Sequence, residues 1–319
     1  MKLRWPFLCC KRSRYEALVS DHAAAEALVG LHTAPGRKHD ARTADCIVFS
    51  KDRALQLHAL LASFYEQVSR PVPVHVLFSA TGKKHGKAYD DVFSLFQRHG
   101  VVAIRQKNAD SFREQFLSLL KSLESEAVFC LVDDIVVTER IDMDDFLQAE
   151  TRESVPSLRL GTNLSRAYTT QQDQPLPPFI DPDPRADGKR RWFWKDGACD
   201  WGYPLSLDGN LFSTREFLLL AERCRFRSPN TLEDDLQRYS KYFKNRHGIC
   251  YTKSKIMNIP ANRVQNDIEN IHGDVHQDHL LEQWSRGMQL DYRAYYGFVN
   301  ASAHQDVEFR LVQRDGRQA

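Results

Sequence analysis

The chain has 319 residues, 42% hydrophobic and 27% charged, with a formal net charge of +2. That length supports one large α/β domain or two small ones around a proper core, and the balance excludes wholesale disorder. Near-neutrality excludes the dense basic field of a dedicated nucleic-acid binder. No apolar run approaches a membrane span, and 7 cysteines without a CxxC pair fit a reduced, cytoplasmic setting better than a disulfide framework.

Residues 1–44 read as an appendage. Its first 14 residues, MKLRWPFLCCKRSR, interleave Trp5, Phe7 and Leu8 with basic residues. This is either a frayed basic tail or a segment that rests peripherally on an anionic membrane. A helical stretch, Tyr15 to Leu31, and a turn-rich lead-in follow. DCIVFS (45–50), bounded by polar residues, predicts a buried strand, and Leu55, Leu57, Leu60, Leu61 and Phe64 give the next segment a helical apolar face. The alternation continues. VPVHVLFSA (72–80) predicts a strand, AYDDVFSLFQRHG a helix closed by Gly100, VVAIRQ a strand, ADSFREQFLSLLKSLE a helix, and EAVFCLV (126–132) a strand ending in Asp133 and Asp134. Such regularity predicts a Rossmann-like, doubly wound and mostly parallel sheet, whose ligands sit at the carboxyl ends of the strands.

The second half differs. After a short acidic helix (DMDDFLQAE) and the strand SLRLG comes a proline-rich loop, then the aromatic strand WFWKDG, DWGYPLSLDGNLF, a helix from Ser213 to Glu222, and SPNTLEDDLQRYSKYF. The last should open a helix with an Asn or Thr cap and an acidic first turn. The simplest parse is one domain, 45–300, in two halves (45–140 and 141–300), followed by a tail, 301–319.

Adjacent carboxylates at a strand end repel unless something cationic neutralises them, and a hard divalent ion with oxygen ligands does so. A solvated acidic loop fits the same residues. Context narrows the choice: FSKDRALQLHALLASF, the pair in VDDIV and a later Glu-Asp pair at a helix start are together similar to family-2-like glycosyltransferases of the GT-A fold. The scattered stretches SLRLG, DWGYPLSLDGNLF, PNTLE and NIPANRVQND resemble a narrower set of bacterial surface-polysaccharide enzymes. The resemblance implies an inverting transferase acting at the inner face of the plasma membrane. It would use a nucleotide-sugar donor, a divalent metal (Mn²⁺ or Mg²⁺) and a glycan or lipid-linked acceptor.

It also implies roles. The pair Asp133 and Asp134 would hold the metal, with Asp134 favoured as its direct ligand and Asp133 for a supporting or donor-ribose role. Ile135 or Val136 stands where the family's DxD motif carries a further acid, which leaves either aspartate as the direct ligand. Glu233 is favoured over Asp234 as the base that takes the acceptor proton, with Asp235 behind both. Ser50, Lys51, Asp52 and Arg53 on the first loop, with Arg263, are donor-side candidates, the cations offering charge to the leaving diphosphate. Among the histidines of HGDVHQDH, His276 is the candidate third metal ligand, against a plain surface position. Trp201 and Asp208 are the acceptor-side candidates, since sugar C–H faces stack on aromatic rings and carboxylates accept from hydroxyls. Two alternatives stand beside this reading: a sugar-phosphate nucleotidyltransferase, disfavoured by the lack of a glycine-rich phosphate loop, and a catalytically degenerate glycan-binding protein.

Overall fold

A computed structural model of the protein describes residues 21–31, 43–108, 110–180, 188–260 and 277–314. Residues 21–31 are helical (α1). The first half of the domain opens with β1 (Ala44–Lys51), α2 (Ala54–Gln67), β2 (Val74–Ser79), α3 (Lys83–Leu95), β3 (Val102–Arg105), α4 (Phe112–Ser122) and β4 (Ala127–Val132). The predicted alternation is present in order.

Strands β3, β2, β1 and β4 lie side by side and parallel. β10 (Leu211–Ser213) adds an antiparallel edge beside β4. Because strand side chains alternate, β1 feeds two cores at once. Cys46 and Val48 enter the core shared with α2, while Ile47 and Phe49 enter the one shared with α4. In β4, Phe129 and Leu131 join the first core, and Val128 and Cys130 the second. Burial on both faces is why these strands read as continuous apolar runs rather than alternating ones.

Beyond β4 come β5 (Ile135–Val137), α5 (Met143–Leu147), β6 (Ser154–Gly161) and the small pair β7 (Arg166–Ala167) and β8 (Gln172–Asp173). The aromatic strand is β9 (Lys189–Phe193), earlier than its sequence suggests, and Trp194–Asp196 turn into a 3₁₀ helix. After β10 follow α6 (Thr214–Arg223), α7 (Pro229–Leu236), β11 (His247–Tyr251) and β12 (Ile256–Asn258). β11 runs parallel to β6 and antiparallel to β9, forming a second sheet of three strands. The Trp192 ring occupies the space above Gly248, where a Cβ would lie 2.2 Å from it. β12 pairs with β5, which brings Asn258 opposite Ile135.

The residues expected as a tail belong to the domain as far as they are described. α8 (Gln277–Ser285) and β13 (Met288–Leu290) lead to β14 (Leu311–Gln313), which pairs with β13. Between them Ala303 is buried in the second core, and its carbonyl accepts from the Asn258 amide at 3.0 Å. The free cysteines Cys46, Cys130, Cys224 and Cys250 are buried, and Cys199 is exposed. Among the described residues no helix is long and apolar enough to cross a membrane.

Candidate active site

β1 and β4 end in register, Phe49 beside Val132. The residues that follow each strand therefore meet. Asp133 is held at both oxygens: Ser50 Oγ donates to Oδ2 at 2.8 Å, the Lys51 amide to Oδ2 at 3.2 Å, and Arg53 Nη1 to Oδ1 at 3.0 Å. With the Ser50 proton directed to Asp133, the Tyr89 hydroxyl 2.6 Å away donates to Ser50 and in turn accepts from the Arg53 amide at 3.1 Å. Asp52 turns the chain between them. It is buried, has a left-handed φ of 53°, and accepts the Thr81 amide at 2.8 Å. That φ is uncommon for a residue with a side chain, though aspartate tolerates it better than most. The turn aims Arg53 back across the strand ends.

Asp134 is less occupied. Its Oδ1 accepts from Asn258 Nδ2 at 3.1 Å, and its Oδ2 has a 3.5 Å contact with Arg53 Nη1. Burial raises both carboxyls, Asp133 to about 6; Arg53 opposes the shift in each case. Asn258, fully buried, also reaches Asp208 Oδ2 at 3.4 Å and so joins the strand-end pair to a third acid.

Asp208 is placed by its neighbour. Gly209 has φ +75°, and a Cβ there would lie 2.6 Å from Ile256 Cδ1. Only glycine lets the chain pass this close. The Gly209 amide donates to the Cys130 carbonyl at 2.8 Å, pinning the loop to β4. His304 Nε2 lies 3.9 Å from Asp208 Oδ2, and its ring stacks on Tyr168 at 5.8 Å.

Glu233 comes from α7. Ser228 caps that helix in a capping box with Thr231, and Pro229 opens it, so neither Asn230 nor Thr231 is the cap. Glu233 consequently falls in the second turn, away from the positive end of the helix dipole. Successive helix residues point about 100° apart, and the structure separates the adjacent acids accordingly. Asp234 is exposed and Asp235 accepts the Arg225 amide at 2.6 Å, while Glu233 Oε2 accepts the Leu207 amide at 3.4 Å. Burial and the Asp208 carboxylate push Glu233 up to about 7, against the pull of Arg159, the Leu207 amide and the Tyr203 hydroxyl.

Ser50, Lys51, Asp52, Arg53, Asp133, Asp134, Asp208 and Glu233 thus surround one cleft at the carboxyl end of the sheet. Lys51 takes part through its backbone amide. Trp201 does not line the cleft. It is 0% exposed, 5.0 Å from Trp192 and 6.0 Å from Phe179 between ring centroids, so no sugar reaches its face. Its indole is core packing. Arg263 and His276 lie outside the described residues, as does the basic segment 1–14. Of NIPANRVQND, the first residue, Asn258, is the one seen in the site.

Sequence reasoning missed Arg159, Asn258 and His304. Arg159 left a legible trace, a cation inside the apolar strand SVPSLRLG; His304 left none.

Among the described residues no three His, Cys, Asp or Glu side chains are grouped to hold a metal. The oxygens present nevertheless fit a hard cation in part. Asp134 Oδ2 has only its long contact to Arg53, and Asn258 Oδ1 is buried with no hydrogen-bond partner. Magnesium-like ions bind through one or two such protein oxygens when phosphates and water complete the shell.

No family model matches the chain. It is 26% identical over 220 residues, 64% of its length, to the bifunctional glycosyltransferase pgtA of Dictyostelium discoideum, and spans 26% of that protein. Among solved structures, TarS of S. aureus bound to UDP matches with a TM-score of 0.45 and 15% identity, covering 67% of this chain and 59% of that one. The mannosyltransferase PcManGT of Pyrobaculum calidifontis, bound to GDP-Man and Mn²⁺, gives a TM-score of 0.33 and 14% identity, covering 46% of this chain and 45% of that one. The chain is thus similar in sequence to a glycosyltransferase, and it has the mostly parallel α/β sheet that its resemblance to GT-A enzymes implies.

Proposed function

We propose that this chain is an inverting, metal-dependent glycosyltransferase of surface-polysaccharide synthesis. It transfers a sugar from a nucleotide-sugar donor to a hydroxyl of a glycan or lipid-linked acceptor at the cytoplasmic face of a membrane. The observation that carries the reading is the pairing of two unlike acid sites in one cleft. On one side are the strand-end carboxylates Asp133 and Asp134; on the other is Glu233, raised to about 7, and Asn258 with Asp208 joins the two. The similarity to pgtA supports the same class of chemistry.

In this reading the donor's nucleotide end lies on the first loop, where Asp133, fixed by Ser50, Lys51 and Arg53, is preorganised to accept from ribose hydroxyls. Arg53 faces the leaving diphosphate. A divalent ion bound at Asp134 would supply positive charge to that diphosphate. The acceptor hydroxyl approaches from the opposite side, between Asp208 and Glu233. Glu233 takes its proton as the oxygen attacks the anomeric carbon, and a base whose pKa sits near the working pH does this best. His304, beside Asp208, joins His276 as a histidine candidate for the metal side.

A panel of nucleotide sugars screened by melting shift with and without Mn²⁺, followed by product analysis on the donor that binds, tests this. Metal-dependent stabilisation by one nucleoside diphosphate sugar and a product of inverted anomeric configuration are expected. Retention would defeat the inverting assignment, and transfer of the nucleotide rather than the sugar would move the chain to the nucleotidyltransferases.

A further inference from the structure

The acid-rich cleft has a second cation besides Arg53, and the reaction so far gives it nothing to do. Arg159 stands on β6 in an otherwise apolar strand and is 5% exposed. Its Nη2 pairs with Asp200 Oδ1, and its Nη1 donates to Ser206 Oγ at 2.7 Å. Both partners lie in the segment 200–208, which carries Asp208. Asp200 is braced from behind, with Gln174 Nε2 donating to Oδ2 at 3.2 Å and Gln174 Oε1 accepting the Asp200 amide at 3.1 Å. Ser206 Oγ accepts at the same time from the Asp208 amide at 3.2 Å. One residue on, the Leu207 amide holds Glu233. A single guanidinium fork therefore ties Asp200 to Ser206, whose hydroxyl holds the Asp208 backbone amide next to the Leu207 amide that meets Glu233.

Burying an ion pair is a poor way to stabilise a fold, because desolvation offsets most of the attraction and apolar packing commonly does as well. Arg159 is nonetheless the buried cation that faces Asp200, Asp208, Glu233 and Tyr203 together, and its charge also reaches His304. A rigid planar fork is the side chain suited to fixing two oxygens at a set angle.

We propose that Arg159 is a positioning residue for sugar transfer: by clamping Asp200 and Ser206 it fixes the relative placement of Asp208 and Glu233 and balances their charge. This rests on reading Glu233 as the base. Misplacing a reacting group by about 1 Å costs on the order of 10²-fold in rate, so the effect belongs in turnover and not in donor binding.

The test uses the full chain with Arg159→Met, Arg159→Lys and Ser206→Ala. Each is measured for turnover, donor KM, donor affinity by calorimetry, and hydrogen exchange of the amides in 200–208. Arg159→Met is expected to lose ~10²-fold in kcat with donor affinity within about twofold, and added methylguanidine is expected to restore part of that loss. Arg159→Lys, keeping charge without the fork, should fall between Met and wild type. Ser206→Ala should speed exchange at Leu207 and Asp208 and lower kcat without responding to methylguanidine. Undiminished kcat in folded Arg159→Met, or loss of donor affinity in step with kcat, overturns the proposal. Should Arg159→Met fail to fold, Ser206→Ala decides: unchanged kcat with unchanged exchange overturns it. A wild type that transfers no sugar to any acceptor defeats the functional reading instead, and the exchange data still decide whether the clamp exists.

Discussion

The two acid sites of the cleft are built on opposite principles. On the strand-end side Asp133 has both oxygens bonded by a serine, a backbone amide and an arginine, so it is held rigidly and has little accepting capacity left. On the acceptor side Glu233 has one long amide contact, the Tyr203 hydroxyl and a neighbouring carboxylate. Both are raised, Asp133 to about 6 and Glu233, half-buried, to about 7. The contrast teaches that burial alone does not make a base. A carboxylate held at both oxygens by fixed donors positions other groups, whereas one with fewer donors and a like-charged neighbour is ready to take a proton.

The largest effect that would sharpen this contrast is on rate. Glu233→Gln keeps shape but removes the basic oxygen, so kcat should fall ~10²–10⁴-fold with donor affinity unchanged. Asp234→Asn, measured in the same assay, should leave kcat close to wild type, because that side chain is exposed. Loss of turnover in Asp234→Asn but not in Glu233→Gln would reverse the assignment.

Next comes stability on the strand-end side. Arg53→Met leaves Asp133 and Asp134 buried without their shared cation, and breaking a buried pair costs about 3–5 kcal/mol. Chemical denaturation should show that loss. If Arg53→Met is as stable as wild type, Asp133 is not held as described.

A smaller change is expected from Asp134→Ala. Its side chain packs little, so the fold should survive while Mn²⁺-dependent donor affinity drops about tenfold or more, ~1.4 kcal/mol. Calorimetry with and without the metal checks this, and undiminished metal dependence would move the cation away from Asp134.

A further effect is a pH dependence of stability. Glu233 has its carboxyl raised from 4.5 to about 7 by folding, so the folded state binds its proton more tightly than the unfolded chain. Its contribution is therefore most favourable below about 4.5 and is lost as pH rises through about 7. Glu233→Gln removes that loss. The variant should melt with wild type at pH 4.5 and above it at pH 8, by about 2–4 °C for each kcal/mol recovered. The wild-type rate should rise through the same interval, as the base ionises, and the variant should lack that limb.

Much of this protein is readable from local sequence. Apolar runs of strand length between helical patterns specify β1, β2 and β4, because strands buried on both faces need apolar residues at nearly every position, while β3 lies largely exposed at the sheet edge. The Asp133–Asp134 pair is visible because it ends such a run, and the helix bearing Glu233 is visible in SPNTLEDDL, although Ser228 and not Asn230 or Thr231 caps it. Other features depend on neighbours far away in the chain. The phase of α7 decides that Glu233 and not Asp234 faces inward, and packing of Leu232 and Leu236 sets that phase. Trp201 looks like a sugar platform in sequence and is core in space, because Trp192 and Phe179 close over it. Arg159, Asn258 and His304 reach the cleft from β6, β12 and the return toward β14, separated by as many as 145 residues of chain that only the folded sheets bring together. Short-range periodicity fixes which segments become strands and helices; long-range packing alone fixes which side chains share a cleft.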